Sequence, residues 1–109
     1  MSKIGLGIDT TFDDTSVAIL RGKREILANL TLSQFQDHEE FGGVVPERAS
    51  RKHLEVINIL IADALKKAQL NFSRIDYIAV SNHPGLLGSL LVGLTVAKSL
   101  AYTFKCPLI

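Results

Sequence analysis

The chain has no tryptophan, one cysteine, one methionine and three prolines in 109 residues. The lone Cys106 excludes an internal disulfide and a cysteine-built zinc site, and it fits a reducing, intracellular compartment. An excess of one charge sign is also missing. Twelve Lys and Arg against eleven Asp and Glu give +1, so no bulk field attracts nucleic acid or a membrane, although a local basic patch stays open. No uninterrupted apolar run reaches the roughly 18 residues of a membrane span. The start, Met1-Ser2-Lys3-Ile4, enters strand-like sequence without the h-region of a signal peptide. These absences read as a soluble, cytoplasmic chain. What is present is 47% hydrophobic and 21% charged residues, enough for a core and too little charge for a disordered chain. The length allows one compact domain at the bottom of the usual size range.

Residues 3–9 alternate apolar side chains with small or polar ones and end in an acid, which is strand period. A polar turn over 10–14 leads to a second strand over 15–20. Residues 21–24 make a hairpin loop and a third strand runs to about 32, completing an antiparallel meander. Residues 33–46 read as a loop. From 47 to 69 the period becomes helical, with Leu54, Ile57, Ile61, Ala64, Leu65 and Ala68 on one face and Lys52, Glu55, Asp63, Lys66 and Lys67 opposite. Val56 and Ile59 fall among those charges and Leu60 at their border, which points to a second packing partner. Residues 75–80 form a strand dense enough for a buried parallel position. Asn82-His83-Pro84-Gly85 is a turn, 86–104 a nearly buried helix, and Pro107-Leu108-Ile109 the beginning of another strand. Three strands, helix, strand, helix, strand is the order of the ribonuclease-H-like half of an actin-like ATPase lobe. The expectation is a single α/β domain over 1–109 with a mixed sheet, the first lobe of something longer.

Three segments could carry chemistry. Asp9-Thr10-Thr11-Phe12-Asp13-Asp14-Thr15 is either a tip that holds phosphate oxygens, a cation or water, or a polar hairpin with Asp and Thr serving its own turn. The block Gly42-Gly43-Val44-Val45-Pro46-Glu47-Arg48-Ala49-Ser50-Arg51-Lys52-His53 is a glycine loop running into a helix. It reads as an anion or RNA-phosphate contact, or as a proline-initiated helix with a solvated basic face. His53 lacks a second histidine at metal-ligand spacing, as do His38 and His83, so a structural role is favoured over ligation. In the third segment, Gly85, Gly88 and Gly93 surround a strand-to-helix junction, and they suit either an anion at a helix N-terminus or close packing. It is no P-loop, because the lysine–hydroxyl pair is absent. No Cys–His pair, Ser–His–Asp set or carboxylate pair can be assigned to hydrolysis.

Together the three segments resemble the start of the tRNA adenosine threonylcarbamoyltransferase family, once labelled a glycoprotease family. The strongest match is Gly42 to His53, followed by Gly85-Leu86-Leu87-Gly88-Ser89-Leu90-Leu91-Val92-Gly93-Leu94 with Ala97-Lys98 and Pro107-Leu108-Ile109. Gly7-Ile8-Asp9-Thr10-Thr11 with Asp13-Asp14-Thr15 matches too, and the resemblance spans essentially the whole chain. The Gly-Gly-Val-Val-Pro-Glu block is similar to the catalytic TsaD branch and is lacking in the non-catalytic TsaB partner. Four positions depart from the family pattern: Asp9 and Asp14 stand for glutamates, Phe12 for a cysteine and His83 for a glycine. The two aspartates keep charge with shorter reach, and Phe12 shows that a thiol is not required there.

The resemblance implies an acyltransferase that moves threonylcarbamoyl from threonylcarbamoyl-AMP to the adenosine beside the anticodon of certain tRNAs. It implies an iron or zinc ion, and an ATP-type nucleotide site, both held by residues downstream of 109, so no metal ligand falls in this segment. By motif position Asp13 and Asp14 are the catalytic candidates, and Thr10 and Thr11 line the same cleft as substrate-binding residues. Arg51, His53, Val56, Ile59 and Leu60 are candidates for tRNA or partner contact. The partners implied are tRNA, a TsaB-like subunit and further complex members. The segment alone is expected to be inactive and prone to self-association. The competing reading is a TsaB-like dimerisation or scaffold module without catalysis.

Overall fold

Alternation in the first strand sets the architecture: Ile4, Leu6 and Ile8 point into the core, while Gly5, Gly7 and Asp9 occupy the opposite side of the sheet. The structure, a computed structural model, describes residues 2–12, 14–33 and 46–109. In chain order it contains β1 (Ile4–Asp9), β2 (Asp14–Arg21), β3 (Glu25–Ser33), α1 (Pro46–Ala68), a 3-10 turn (Phe72–Arg74), β4 (Tyr77–Val80) and α2 (Leu87–Phe104). The four strands form one sheet in the order β3-β2-β1-β4. β1 is antiparallel to β2, with Gly7 opposite Ala18, and parallel to β4, with Gly7 opposite Ala79. A break in register between Ile19 and Leu20 lets Ile19 face Ala28 while Leu20 faces Ile26, a one-residue bulge near the hairpin. The hairpin itself turns through Gly22, whose φ of 64° favours glycine. Beyond β4, Ile78 donates its N–H to Pro107 O and accepts from the Ile109 N–H, so residues 107–109 open a fifth, parallel strand beside β4. This is the expected ribonuclease-H-like order.

Both helices pack on the face that carries Leu6, Ile8, Val17 and Ile19, α1 over β2 and β3, α2 over β4 and β1, with the helices touching each other. Ile57, Ile61 and Ala64 bring α1 to the core, and Val92 and Ala97 bring α2. Fully burying an aliphatic side chain contributes about 1.5–3 kcal/mol, so this layer supplies the main stabilisation. The amphipathic reading of α1 needs two corrections. Leu54, expected in the core, is 61% exposed, whereas Leu60, expected at the charged border, packs against the core. Val56 is half-buried and Ile59, as expected, is 60% exposed. Helix α2 is a further correction. Its 18 residues have a mean hydropathy of 1.4, long and apolar enough by length and composition to cross a membrane. Its seat on β1 and β4 through Val92, Gly93 and Ala97 marks it instead as a core helix with an uncovered outer side.

The opposite face of the sheet is built of small residues. The Tyr77 ring lies over Gly5. Next to it Gly7, Ala18 and Ala79 floor a trough of about 310 Å³, closed at one end by Asp9, Ser16 and Ser81.

Candidate functional site at the β1–β2 turn

The carboxyl ends of the parallel pair β1 and β4 lie side by side, and after them the chain departs in opposite directions, to β2 on one side and to the fifth strand on the other. In open α/β sheets such a switch point is where ligands bind. Asp9 and Ser81 end those strands, and Ser16 stands opposite Asp9 across the β1–β2 ladder. By strand alternation Asp14 is on the same side of β2 as Ser16 and Ala18, and it is exposed. Asp13 lies outside the described residues, as does the loop block from Gly42 to Val45.

The turn is braced from below by α2. Thr10 is fully buried, its hydroxyl donating to Ser89 O at 2.6 Å and accepting from the Gly93 N–H at 3.0 Å. Thr10, expected from motif position to bind substrate, is thus placed as a strut with no exposed surface in this lobe. Its burial follows from alternation, because it continues the inward row of Leu6 and Ile8. Thr11 is half-buried; its N–H donates to Asp9 Oδ1 at 2.9 Å, an Asx turn, and its carbonyl accepts from the Leu86 N–H at 2.8 Å. Gly85 makes that approach possible: a Cβ there would stand 2.5 Å from Thr11 O. Of the two readings of the glycines, close packing holds for Gly85 and Gly93. The Ser89 hydroxyl is buried and has no hydrogen-bond partner among the described residues.

From the other side the turn is braced by α1. His53 is fully buried, with Nδ1 2.6 Å from the Thr15 hydroxyl and Nε2 2.8 Å from the Phe12 carbonyl oxygen. His53, expected as a tRNA or partner contact, thus has no exposed surface in this lobe. Its place is legible after the fact: 53, 57, 61 and 64 share a helical face. Leu60 packs against the core and stays partly exposed, as Val56 does. Arg51 and Ile59 are exposed, and Lys52 pairs with Glu55 at 3.7 Å on the outer surface of α1.

Ser16 and Ser81 were not among the residues expected at the site, whereas Asp9 opens the candidate segment of the β1–β2 turn. The signal for them is strand parity, which puts each on the face away from the apolar row. No three His, Cys, Asp or Glu side chains come together as metal ligands among the described residues, and both ring nitrogens of His53 are engaged. The described residues supply no ligand set for the metal that the resemblance implies, whose ligands it places downstream of residue 109.

Comparison with known proteins bears on the same residues. A family model described as TsaD, tRNA N6-adenosine threonylcarbamoyltransferase, matches residues 25–109. The tRNA N6-adenosine threonylcarbamoyltransferase of Clostridioides difficile is 51% identical over 106 residues, covering 97% of this chain and 31% of that protein. The protein of the same name from Syntrophomonas wolfei is 53% identical over 104 residues, covering 95% and 31%. The chain thus spans about 31% of the length of these relatives. Among solved structures, YeaZ from Pseudomonas aeruginosa superposes with a TM-score of 0.72 at 22% identity, covering 98% of this chain and 42% of that one, which shows a shared fold. With a family model matched over most of its length and relatives at half identity, the chain belongs to the tRNA N6-adenosine threonylcarbamoyltransferase family, TsaD.

Proposed function

We propose that this chain is the N-terminal lobe of a two-lobe cytoplasmic transferase that moves threonylcarbamoyl from threonylcarbamoyl-AMP to the adenosine next to the anticodon of tRNA. The observation that carries the reading is the β1–β2 turn, braced by both helices, with Asp14 exposed on the sheet face that also carries Asp9, Ser16 and Ser81. A pure scaffold has no need of acids displayed on a doubly braced turn. In this role Asp14, with its neighbour Asp13, takes or orients the proton of the attacking tRNA amine. The hydroxyls of Ser16 and Ser81 and the backbone of the turn position the transferred group as AMP leaves. Metal and nucleotide ligands belong to the second lobe, so the 109 residues alone transfer nothing. In a transfer assay with labelled threonylcarbamoyl-AMP, the complete protein with its partner labels tRNA and the isolated chain does not. Labelling by the isolated chain, or none by the complete assembly, would remove this function.

A TsaB-like partner completes the reading. The outer sides of the two helices leave Leu54 and Ile59 of α1 and Leu87, Leu91 and Tyr102 of α2 exposed, Leu87 and Tyr102 at 74% and 87%. Such apolar exposure on adjoining helices suits a partner's helices. Ile59→Asp in the complete protein is expected to weaken pairing by about 2 kcal/mol, roughly 30-fold in Kd. Unchanged association in a sedimentation experiment would place the partner elsewhere.

A further inference from the structure

We propose that His53 is a positioning residue for transfer, a fixed neutral imidazole that holds the turn on either side of Asp14 in sequence; the inference rests on reading that turn as the catalytic one. The two groups it touches, Phe12 O and the Thr15 hydroxyl, flank positions 13 and 14 directly in sequence. A carbonyl oxygen can only accept, so Nε2 carries the proton and donates to Phe12 O. In the neutral ring Nδ1 then has a lone pair, and the Thr15 hydroxyl donates to it. One buried ring therefore sets the separation of the turn's two ends from the side of α1, while Asp14 faces away from it into solvent.

The geometry differs from that of a satisfied core histidine with no further consequence. Such a residue ties helix to sheet anywhere along the strand. Here both hydrogen bonds fall on residues that flank the exposed Asp14 in sequence, Phe12 and Thr15, and α2 holds the preceding residues, Thr10 and Thr11, by separate bonds. Asp14 is thus placed by two independent braces, and removing the His53 brace frees the second half of the turn without releasing the first.

The tests use two readouts. In the 109-residue chain with ¹⁵N-labelled histidine, the His53 imidazole should show a protonated Nε2 and an unprotonated Nδ1. A protonated Nδ1, or averaging of the two tautomers, would overturn the assignment. In the complete transferase, His53→Phe should lower kcat by about 100-fold, the scale expected of a misplacement of about 1 Å, with KM for tRNA unchanged. His53→Gln, whose amide can still donate to Phe12 O, should recover most of that loss, while His53→Asn, which can reach only the Thr15 side, should not. If His53→Phe does not fold, Thr15→Val removes one half of the clamp at constant volume and should itself lower kcat. Parental kcat in folded His53→Phe or in Thr15→Val, or equal kcat in the Gln and Asn variants, would overturn the proposal. Asp14→Ala run in parallel separates the two ideas. If it is inactive while His53→Phe is active, the clamp alone fails; if it is active, the reading of the turn fails first.

Discussion

Asp14→Ala in the complete transferase is expected to lower kcat for threonylcarbamoyl transfer by about 10²–10⁴-fold, the range for removing a positioned general acid or base. Stability should change by no more than about 0.5 kcal/mol, as for other surface substitutions. The contrast between the two numbers is the content of the prediction. Asp14 opens β2, its main chain pairs with Ser33, and its side chain is exposed, so the fold does not depend on the carboxylate. Its value must then come from the side of the sheet it occupies, the one that by strand alternation also carries Ser16 and Ala18 of the trough. Asp14→Asn sharpens the test, because it keeps shape and hydrogen bonding and removes only charge and basicity. If Asn restores transfer, Asp14 orients the substrate; if Asn is as poor as Ala, the residue handles a proton or a positive charge. KM for tRNA should move little in either variant, since tRNA binding draws on a wider surface. Full activity in Asp14→Ala would take the turn out of the chemistry and leave the lobe as a partner-binding module.

Much of this was legible from periodicity. The inward row Ile4, Leu6, Ile8 continues to Thr10, and the row Ile19, Val17 continues to Thr15, so the Thr10 hydroxyl that motif position assigned to a cleft, and the Thr15 hydroxyl with it, point by parity to the core. The same parity sends Asp9 and Ser16 outward, where the trough lies. Helical spacing placed His53 with Ile57, Ile61 and Ala64. What spacing could not supply is which partners those buried polar groups meet. Thr10 finds Gly93 in α2, and His53 finds Thr15 and Phe12, across 83, 38 and 41 positions of sequence. Those meetings depend on sheet order and on both helices sharing one face, which no local pattern encodes. The edges of amphipathic α1 were misjudged for a related reason. Leu54 and Leu60 flank the buried stripe on opposite sides, and only the sheet's outline decides which flank is covered.

The same long-range brace gives the largest expected effect on stability. Gly93→Ala should destabilise the chain by about 2–4 kcal/mol in chemical denaturation, against a total of about 5–15 kcal/mol for a domain. In an exposed helix this substitution would instead be favourable by up to about 1 kcal/mol. Here the new Cβ would stand 2.5 Å from Thr10 Oγ1 and 3.4 Å from methyl carbons of Thr10 and Ile8, all buried. The threonine cannot swing away freely, because its hydroxyl is bonded to Ser89 O and to the Gly93 N–H itself. Overpacking and the loss of these two bonds therefore act together, each worth about 1–3 kcal/mol. Thr10→Ala alone should also destabilise, by removing the buried hydroxyl that bonds Ser89 O and the Gly93 N–H. In the double variant the alanine at 10 vacates the space that the alanine at 93 needs. The double loss should therefore fall short of the sum of the single losses by about 1–3 kcal/mol, the coupling expected of residues in direct contact. Additive losses would mean that α2 relieves the overlap by sliding as a body, and Thr10 would then not be the point where α2 holds the turn. A non-additive cycle, by contrast, ties the placement of Asp14 to a methyl-sized space about 80 residues further along the chain, since Thr10 roots the same turn whose far end His53 holds.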